Sequence, residues 1–185
     1  MKSTCSDTTL LGSFLENHDV ARFPSLTSDL SLQKNAIAFT MLMDGIPIIY
    51  AGQEQGYSGG GVPSDREATW LSGYNTNSAL YGFVRQVNQI RNRAVSRNSA
   101  WVTYKAVPSQ IDSQNVVLRK GTTGAQTVGV FSNKGAKSAS YTVTLSSSTT
   151  GFTANQAVVE VLTCTAYTAD SSGNLVVAMS GGLPR

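Results

Sequence analysis

The sequence has little of several features that would point to particular classes of function. It contains one histidine and two cysteines, and only 14% of its 185 residues are charged. The formal net charge is +3, and Lys and Arg do not cluster into the basic stripe that nucleic-acid-binding proteins use. No apolar run approaches the roughly 20 residues that a helix needs to span a bilayer. We therefore expect neither nucleic acid nor a membrane as a partner.

The start of the chain and its cysteine content are those of an ordinary globular protein. Residues Met1 to Cys5 are mostly polar and lack the hydrophobic segment of a signal peptide. From composition alone, Cys5 and Cys164 are expected to be free thiols of a cytosolic protein, buried as small apolar side chains. The 41% hydrophobic content is enough to fill the core of one large domain or two small ones.

Two mostly apolar runs predict neighbouring strands in the first half of the chain. Thr8 to Leu15 and Ile46 to Ala51 do not alternate, which is typical of strands covered on both faces in a parallel sheet. Between them, a helix can begin at Ser28 or Asp29 and end at Asp44-Gly45. The apolar positions of this helix are Leu32, Ala36, Phe39 and Met43.

A long loop separates the second strand from a second helix. It runs from Gly52 to about Asn77, and a connection of this length in a compact domain is usually functional. Ser78 can cap the following helix, which is expected to end near Arg97. Its apolar face would consist of Leu80, Phe83 or Val84, Val87 and Ile90. The first half of the chain therefore reads as two successive βα units.

The chemistry of the chain changes at about Ser99. Short runs of β-branched and aromatic residues are then separated by turn signals, as in an antiparallel sandwich or barrel. We therefore divide the chain into residues 1–99 and 100–185. Ser146 to Thr150 is predicted to be a solvated loop. The predicted strands are Trp101–Val107, Asn115–Arg119, Thr127–Phe131, Ser140–Leu145, Ala157–Val161 and Leu175–Ala178.

The stretch from Gly12 to Asp19 is the most informative one for function. An apolar run leads into Asn17 and His18, the only histidine, followed by the Asp19 carboxylate. A buried strand that ends here would hold these side chains at the mouth of a site while the next loop admits a ligand. The alternative is an ordinary turn in which Asn17 and Asp19 bond their own backbone.

Two separated motifs resemble signatures of the alpha-amylases of glycoside hydrolase family 13. Phe14, Asn17, His18 and Asp19 resemble the Phe-x-x-Asn-His-Asp segment at the end of the seventh barrel strand. A second set resembles the signature of the eighth strand, and a segment beyond it resembles the substrate-side loop. The second set is Gly45, Pro47, Tyr50, Gly52 and Glu54, and the loop segment is Arg66-Glu67-Ala68-Thr69-Trp70. The similarity is to the fungal secreted type and spans essentially residues 2 to 185.

The resemblance implies an α/β fold followed by an all-β one. These would be the last two βα units of a (β/α)8 TIM barrel and then an antiparallel β-sandwich, the C-terminal domain, truncated at its end. The family's nucleophilic Asp and its acid/base Glu belong to earlier strands, and its calcium ligands lie mainly there too, upstream of Met1. Cys5 and Cys164 would be half-cystines whose disulfide partners lie before Met1 and after Arg185.

The resemblance also implies roles for three side chains. Asp19 resembles the third carboxylate of the family, which stabilises the transition state, and His18 resembles a residue that donates a hydrogen bond to the same sugar. Arg66 resembles a substrate-binding guanidinium that aligns hydroxyls or a catalytic carboxylate. The family often has an acidic residue four positions earlier, where this chain has Val62, so one sugar contact is in doubt.

Aromatic and acidic residues near these motifs have competing interpretations. Tyr50 and Glu54 could contact sugar, but a tyrosine at a strand end is more often a packing residue. Trp70 and Trp101 could stack on sugars, but we expect core or interdomain burial for both.

The implied function is retaining endo-hydrolysis of α-1,4-glucosidic bonds in starch and glycogen. The parent enzyme would be an extracellular, secreted monomer that uses calcium and acts on starch, glycogen or maltooligosaccharides. These 185 residues alone are expected to be inactive, since retaining hydrolysis needs a nucleophile and an acid. The alternative is a non-catalytic carbohydrate-binding or structural remnant.

Overall fold

The structure, a computed structural model, describes residues 4–185. Its first half consists of a short parallel sheet and the helices that follow each strand. The bounds are β1 Gly12–Phe14, α1 Phe23–Leu26, α2 Leu30–Leu42, β2 Ile46–Ile48 and α3 Ala79–Arg97. The two predicted strand–helix units are therefore confirmed. None of the helices within residues 4–185 is both long and apolar enough to cross a membrane.

The parallel pair is shorter and more open than the sequence predicts. β1 and β2 pair with Gly12 opposite Ile46 and Phe14 opposite Ile48. The expectation of strands covered on both faces is wrong for this chain, because Phe14, Ile46 and Ile48 are 51%, 59% and 47% exposed. The first strand also begins late, because Asp7 accepts a hydrogen bond from the backbone N–H of Thr9 and initiates a 3-10 turn at Thr8–Leu10.

α2 begins as the capping pattern predicts but is covered on more than one side. Of the two candidate caps, Asp29 is the one used: its Oδ1 accepts hydrogen bonds from the backbone N–H groups of Ser31 and Leu32 at 2.8 and 3.2 Å. The predicted apolar stripe is only half-buried. The buried positions of the helix are Ser31, Gln33, Asn35, Ile37, Ala38, Thr40 and Met41.

α3 follows Ser78 but is not capped by its side chain. The Ser78 hydroxyl instead donates to the carbonyl of Glu54 at 2.8 Å, which ties the helix start to the preceding loop. Near the other end, the Arg91 guanidinium donates to the carbonyls of Met41 and Gly45 at 2.9 and 3.1 Å. Arg91 therefore satisfies carbonyls at and beyond the C-terminal end of α2, which a helix cannot satisfy itself.

The second half of the chain consists of short antiparallel sheets, as expected for a β-sandwich. β3, β4 and β5 form one sheet, β6 pairs with β9, and β7 pairs with β8. The bounds are β3 Val107–Gln110, β4 Asn115–Lys120, β5 Thr127–Ser132, β6 Tyr141–Leu145, α4 Ser147–Thr150, β7 Ala157–Glu160, β8 Thr165–Thr168 and β9 Leu175–Met179.

Two sequence predictions in this half are wrong, and one strand was not predicted. Trp101–Val107 is not a strand: Asn98 caps a 3-10 turn that ends at Trp101, and strand structure begins only at Val107. β8 was missed because its sequence, Thr-Ala-Tyr-Thr, lacks a strong apolar pattern. Ser146–Thr150 is not a solvated loop, since Ser146 caps one helical turn and Thr150 is buried.

The sheet formed by β3, β4 and β5 packs on both of its faces. Leu118 and Phe131 contact the helical core, where the rings of Phe39 and Phe131 meet edge-to-face at 5.3 Å. On the opposite face, Val117 and Val130 join residues of β6 and β9 in a second core. The helical core therefore includes residues from both sides of the predicted boundary near Ser99.

Candidate active site

The polar residues after β1 form a turn that points two side chains outward. The Asn17 side chain accepts a hydrogen bond from the backbone N–H of Asp19 at 2.8 Å, so part of the ordinary-turn alternative is seen in the structure. The same turn leaves His18 and Asp19 with about two-thirds of their side-chain surface exposed. A turn stabilised by its own backbone thus presents an imidazole and a carboxylate at the strand end.

Arg66 brings the long loop to this turn. Its Nε donates to the His18 carbonyl at 2.9 Å, and its Nη2 lies 3.5 Å from Asp19 Oδ1, although the two residues are 47 positions apart. His18 Nε2 lies 3.4 Å from the same carboxylate oxygen. The three site residues predicted from the resemblance therefore lie together. Because water screens such exposed pairs, their attraction contributes little to stability and would strengthen only if a ligand excluded water.

A buried arginine beneath this cluster was missed by sequence analysis. Arg22 has no exposed surface. Its Nε lies 2.6 Å from Glu67 Oε2 and 3.1 Å from the Asp65 carbonyl. Its two terminal nitrogens donate to Glu16 Oε2 at 3.2 Å and to the Ala51 carbonyl at 2.9 Å. One guanidinium thus connects the end of β1, the end of β2 and the loop that carries Arg66.

Two tyrosine rings enclose this guanidinium. Its central carbon lies 4.3 Å from the ring centre of Tyr50 and 5.4 Å from that of Tyr57. The hydroxyl of Tyr50 donates to the Asp65 carbonyl at 3.3 Å, and that of Tyr57 lies 3.1 Å from the Ala68 carbonyl. Tyr50 is half-buried and packs against Arg22, in line with the packing interpretation, and both rings shield the arginine from water.

The two carboxylates that bind Arg22 have pKa values displaced in opposite directions. Burial raises the pKa of Glu16, and the nearby charge of Arg22 only partly offsets this effect. Burial alone would also raise the pKa of Glu67. Hydrogen bonds from the backbone N–H groups of Glu67 and Gly59, together with Arg22, outweigh it and lower that pKa. Glu67 is therefore the carboxylate held more firmly in its charged form.

Gly59 allows the loop to close over Arg22. Its N–H donates to Glu67 Oε1 at 2.7 Å, and its carbonyl accepts a hydrogen bond from the Arg22 backbone N–H at 3.0 Å. A Cβ at this position would lie 1.9 Å from the Ser64 carbonyl oxygen, so any larger residue would push the two loop segments apart. The Asp65 carboxylate is buried without a hydrogen-bond partner among residues 4–185, so Asp65 joins this network through its carbonyl.

The other candidate residues have different positions. Trp101 is fully buried, as expected, and its Nε1 donates to Thr127 Oγ1 at 3.0 Å. The expected burial of Trp70 is wrong: it lies in a short 3-10 turn of the long loop and is 69% exposed. Glu54 accepts a hydrogen bond from the Gly52 N–H. The side chain of Val62 is 56% exposed.

Neither a disulfide nor a metal site is seen in the part of the chain that the structure describes. Cys5 is half-buried and Cys164 is exposed, and both are free thiols. No three His, Cys, Asp or Glu side chains within residues 4–185 converge in a way that could hold a metal ion. A cavity of about 760 Å³ lies between α3, β5 and β7 and is lined by none of the site residues. The candidate site is an open surface at the strand ends, because the side chains of His18, Asp19 and Arg66 are 65%, 66% and 47% exposed.

Fold and site together define a class of protein. Two parallel strands, each followed by a helix, carry a carboxylate, an imidazole and a guanidinium at their carboxyl ends, where barrel enzymes place their active sites. The tail of a (β/α)8 catalytic domain followed by a β-sandwich C-terminal domain is the fold of this chain.

Comparison with known proteins gives the family. Residues 1–85 match the family model for the alpha amylase catalytic domain, and residues 108–185 match that for alpha-amylase domain C. Alpha-amylase 1 of Lipomyces kononenkoae is 58% identical over the whole chain, which covers 29% of that relative. Alpha-amylase 1 of Schwanniomyces occidentalis is 47% identical, again over the whole chain and 36% of the relative.

A solved structure agrees with these sequence matches. An alpha-amylase from Malbranchea cinnamomea superposes on the whole chain with a TM-score of 0.92 and 45% identity, over 38% of its own length. The chain therefore belongs to the alpha-amylase family. It spans about a third of the length of the curated relatives it matches.

Proposed function

We propose that this chain is the C-terminal portion of an alpha-amylase, a retaining endo-hydrolase of α-1,4-glucosidic bonds in starch and glycogen. The observation that carries the proposal is the convergence of His18, Asp19 and Arg66 at the carboxyl ends of β1 and β2. The three groups are exposed on one surface, so a sugar ring can reach all of them.

Each of the three side chains has a chemical task that suits its position. The charge of Asp19 favours the oxocarbenium-like transition state through electrostatic attraction and hydrogen bonds to sugar hydroxyls. His18 donates a hydrogen bond to the same sugar. Arg66 provides a planar set of donors that aligns Asp19 or a hydroxyl pair, and its bond to the His18 carbonyl holds it in place.

The 185 residues by themselves are proposed to be inactive. Retaining hydrolysis needs a nucleophilic carboxylate and a protonated acid about 5 Å apart. Asp19 is the exposed carboxylate at the site, whereas Glu16 and Glu67 are bound by the buried Arg22 and Asp65 is fully buried. The nucleophile and acid would come from earlier barrel strands of the parent enzyme.

The alternative function is a non-catalytic carbohydrate-binding module. It is favoured by the exposed apolar side chains of Trp70, Leu71 and Tyr74, which are 69%, 67% and 64% exposed and lie just beyond Arg66. An exposed indole can stack on a sugar face without any chemistry at the glycosidic bond. This alternative needs no carboxylate, so a substitution of Asp19 would leave it unaffected.

Two measurements test these proposals. Purified chain incubated with soluble starch should release no reducing sugar, and release at a rate removed by Asp19→Asn would overturn the proposed inactivity.

In the longer parent protein, Asp19→Asn should lower kcat far more than it raises KM, by about 2 to 4 kcal/mol of transition-state stabilisation. His18→Ala should cost less. Parent and Asp19→Asn enzymes of equal activity would exclude the catalytic assignment.

Three further properties of the parent enzyme follow as proposals from the family. Calcium would be held mainly by residues outside this chain, as the family resemblance implies. Cys5 and Cys164 would each pair with a cysteine outside the chain, as suits a secreted enzyme. The complete enzyme would act as a monomer on starch, glycogen or maltooligosaccharides.

A further inference from the structure

Arg22 contacts the residues on both sides of Arg66. Its Nε donates to the carbonyl of Asp65 and lies 2.6 Å from the carboxylate of Glu67. Arg66 lies between these two residues and extends its side chain back to His18 and Asp19. The loop position from which Arg66 reaches the site is therefore set by a group that does not itself reach the site.

The same guanidinium also holds the segment that carries the other two site residues. Its Nη1 donates to Glu16, which precedes the turn of Asn17 to Asp19, and Glu16 also accepts a bond from the Phe23 N–H at 3.3 Å. The chain between Glu16 and Arg22 is thus closed into a loop by the arginine. Residues 16–22 and 65–67 are bound to one another below the surface by Arg22 and above it by Arg66.

Little regular structure would hold the long loop in place without these bonds. Between β2 and α3 the structure has only two 3-10 turns, Gln53–Gln55 and Thr69–Ser72. Gly59 is held by Glu67 and by the Arg22 backbone, and Asp65 by Arg22 and Tyr50. The hydrogen bonds around Arg22 therefore hold this loop in position, as the hydrogen bonds to a neighbouring strand hold a strand in a sheet.

We propose that Arg22 is a positioning residue, which sets the place of Arg66 relative to His18 and Asp19 through Glu67 and the Asp65 carbonyl. It does not touch the sugar, because it has no exposed surface. The meaning of the positioned site for catalysis rests on the proposed function, but the positioning itself is a property of the chain that can be measured without substrate. Lysine cannot replace it, since an ammonium group lacks the planar fork that bonds several acceptors at once.

His18 is the only histidine, so its imidazole signals report on the site without assignment. NMR of the 185-residue chain with isotope-labelled histidine would record these signals in four proteins: the parent, Arg66→Ala, Arg22→Met and the double variant. We expect Arg66→Ala to shift the His18 signals when Arg22 is present. With Arg22→Met the signals should already be displaced, and Arg66→Ala should add no further shift.

Arg91→Met is the matched control. Arg91 is a partly buried arginine that also donates to two backbone carbonyls, but at the end of α2, away from the site. It should destabilise the fold without moving the His18 signals or changing their response to Arg66→Ala. If Arg22→Met does not fold, Arg22→Lys and Glu67→Gln provide the same comparison, because each weakens the 2.6 Å contact while keeping a similar side chain.

The outcomes are distinct. An Arg66→Ala shift of the same size with and without Arg22 would overturn the positioning role, whatever the loss of stability. Titration with maltotriose tests the proposed function separately. If the His18 signals do not respond to maltotriose but the dependence on Arg22 is seen, the sugar-binding role fails and the positioning role stands.

Discussion

Lys120→Met should strongly destabilise the protein, because Lys120 is a buried cation with one carboxylate partner. Its side chain in β4 is 2% exposed, and its Nζ lies 2.6 Å from both Asp44 Oδ1 and the Tyr104 carbonyl. The same Asp44 oxygen accepts a hydrogen bond from the Ala106 N–H at 2.8 Å. This pair joins the segment after α2 to the β-sandwich across the predicted domain boundary.

The magnitude follows from what each substitution leaves unpaired. Removing one partner of a buried ion pair costs about 3 to 5 kcal/mol. Lys120→Met leaves Asp44 with its bond from Ala106 and 11% of its side chain exposed, so we expect the lower end, about 3 kcal/mol. Asp44→Asn keeps an acceptor for Ala106 but leaves the Lys120 ammonium in a nearly closed site, so we expect a cost near the upper end.

The double variant separates the pair from general disruption. Asp44→Asn with Lys120→Met removes both charges and keeps the acceptor for Ala106. Replacing both partners of a buried ion pair by neutral groups often changes the free energy of unfolding little. Its loss should therefore be smaller than the sum of the single losses by about 2 kcal/mol or more. The measurement is urea unfolding followed by circular dichroism, and the exposed Lys137→Met serves as control, expected within about 0.5 kcal/mol of the parent. A change in Lys120→Met as small as in the control, or additive single losses, would refute the reasoning.

Three other predictions concern packing, pH and solubility. Asn35→Ala should cost about 2 kcal/mol or more, because its buried amide bonds the Gly182 carbonyl at 2.7 Å and the Ser132 N–H at 2.8 Å; an unchanged urea midpoint would contradict this. Burial raises the pKa of Glu16 in the folded protein above its ordinary value of 4.5, so the Glu16 carboxyl group stays protonated to a higher pH in the folded than in the unfolded chain. The free energy of unfolding should therefore fall as the pH rises from 4.5 through the raised pKa. Glu16→Gln should remove the loss of stability that the titration of Glu16 causes. If the stability of the parent and of the variant changed in parallel with pH, this contribution of Glu16 would be excluded. Replacing the exposed Ile46 and Ile48 with Thr should reduce aggregation measured by light scattering, and scattering equal to that of the parent would show that this face is not responsible.

Much of the fold could be predicted from local patterns in the sequence. The start of α2 depends on Asp29, whose carboxylate bonds the next backbone N–H groups, so the signal lies within a few residues. The strands from β4 on were predicted from short β-branched runs, apart from β8. The candidate site was predicted from the spacing of Phe14 to Asp19 and from Arg66 by resemblance, and the structure brings those side chains together. Their roles toward sugar stay a prediction.

The tertiary structure decided which side chains are enclosed, because burial depends on contacts between distant segments. Trp70 and Trp101 have the same side chain, yet the first is exposed and the second lies fully buried with its Nε1 bonded to Thr127, 26 positions away. Arg22 looks like an ordinary loop arginine in the sequence. Its partners at positions 51, 65 and 67 come within reach only when the loop folds back over the strand ends. Glu16 is the one nearby side-chain partner. A buried charge needs several acceptors, and the other three become neighbours only through the tertiary fold, so the local sequence did not reveal the burial of Arg22.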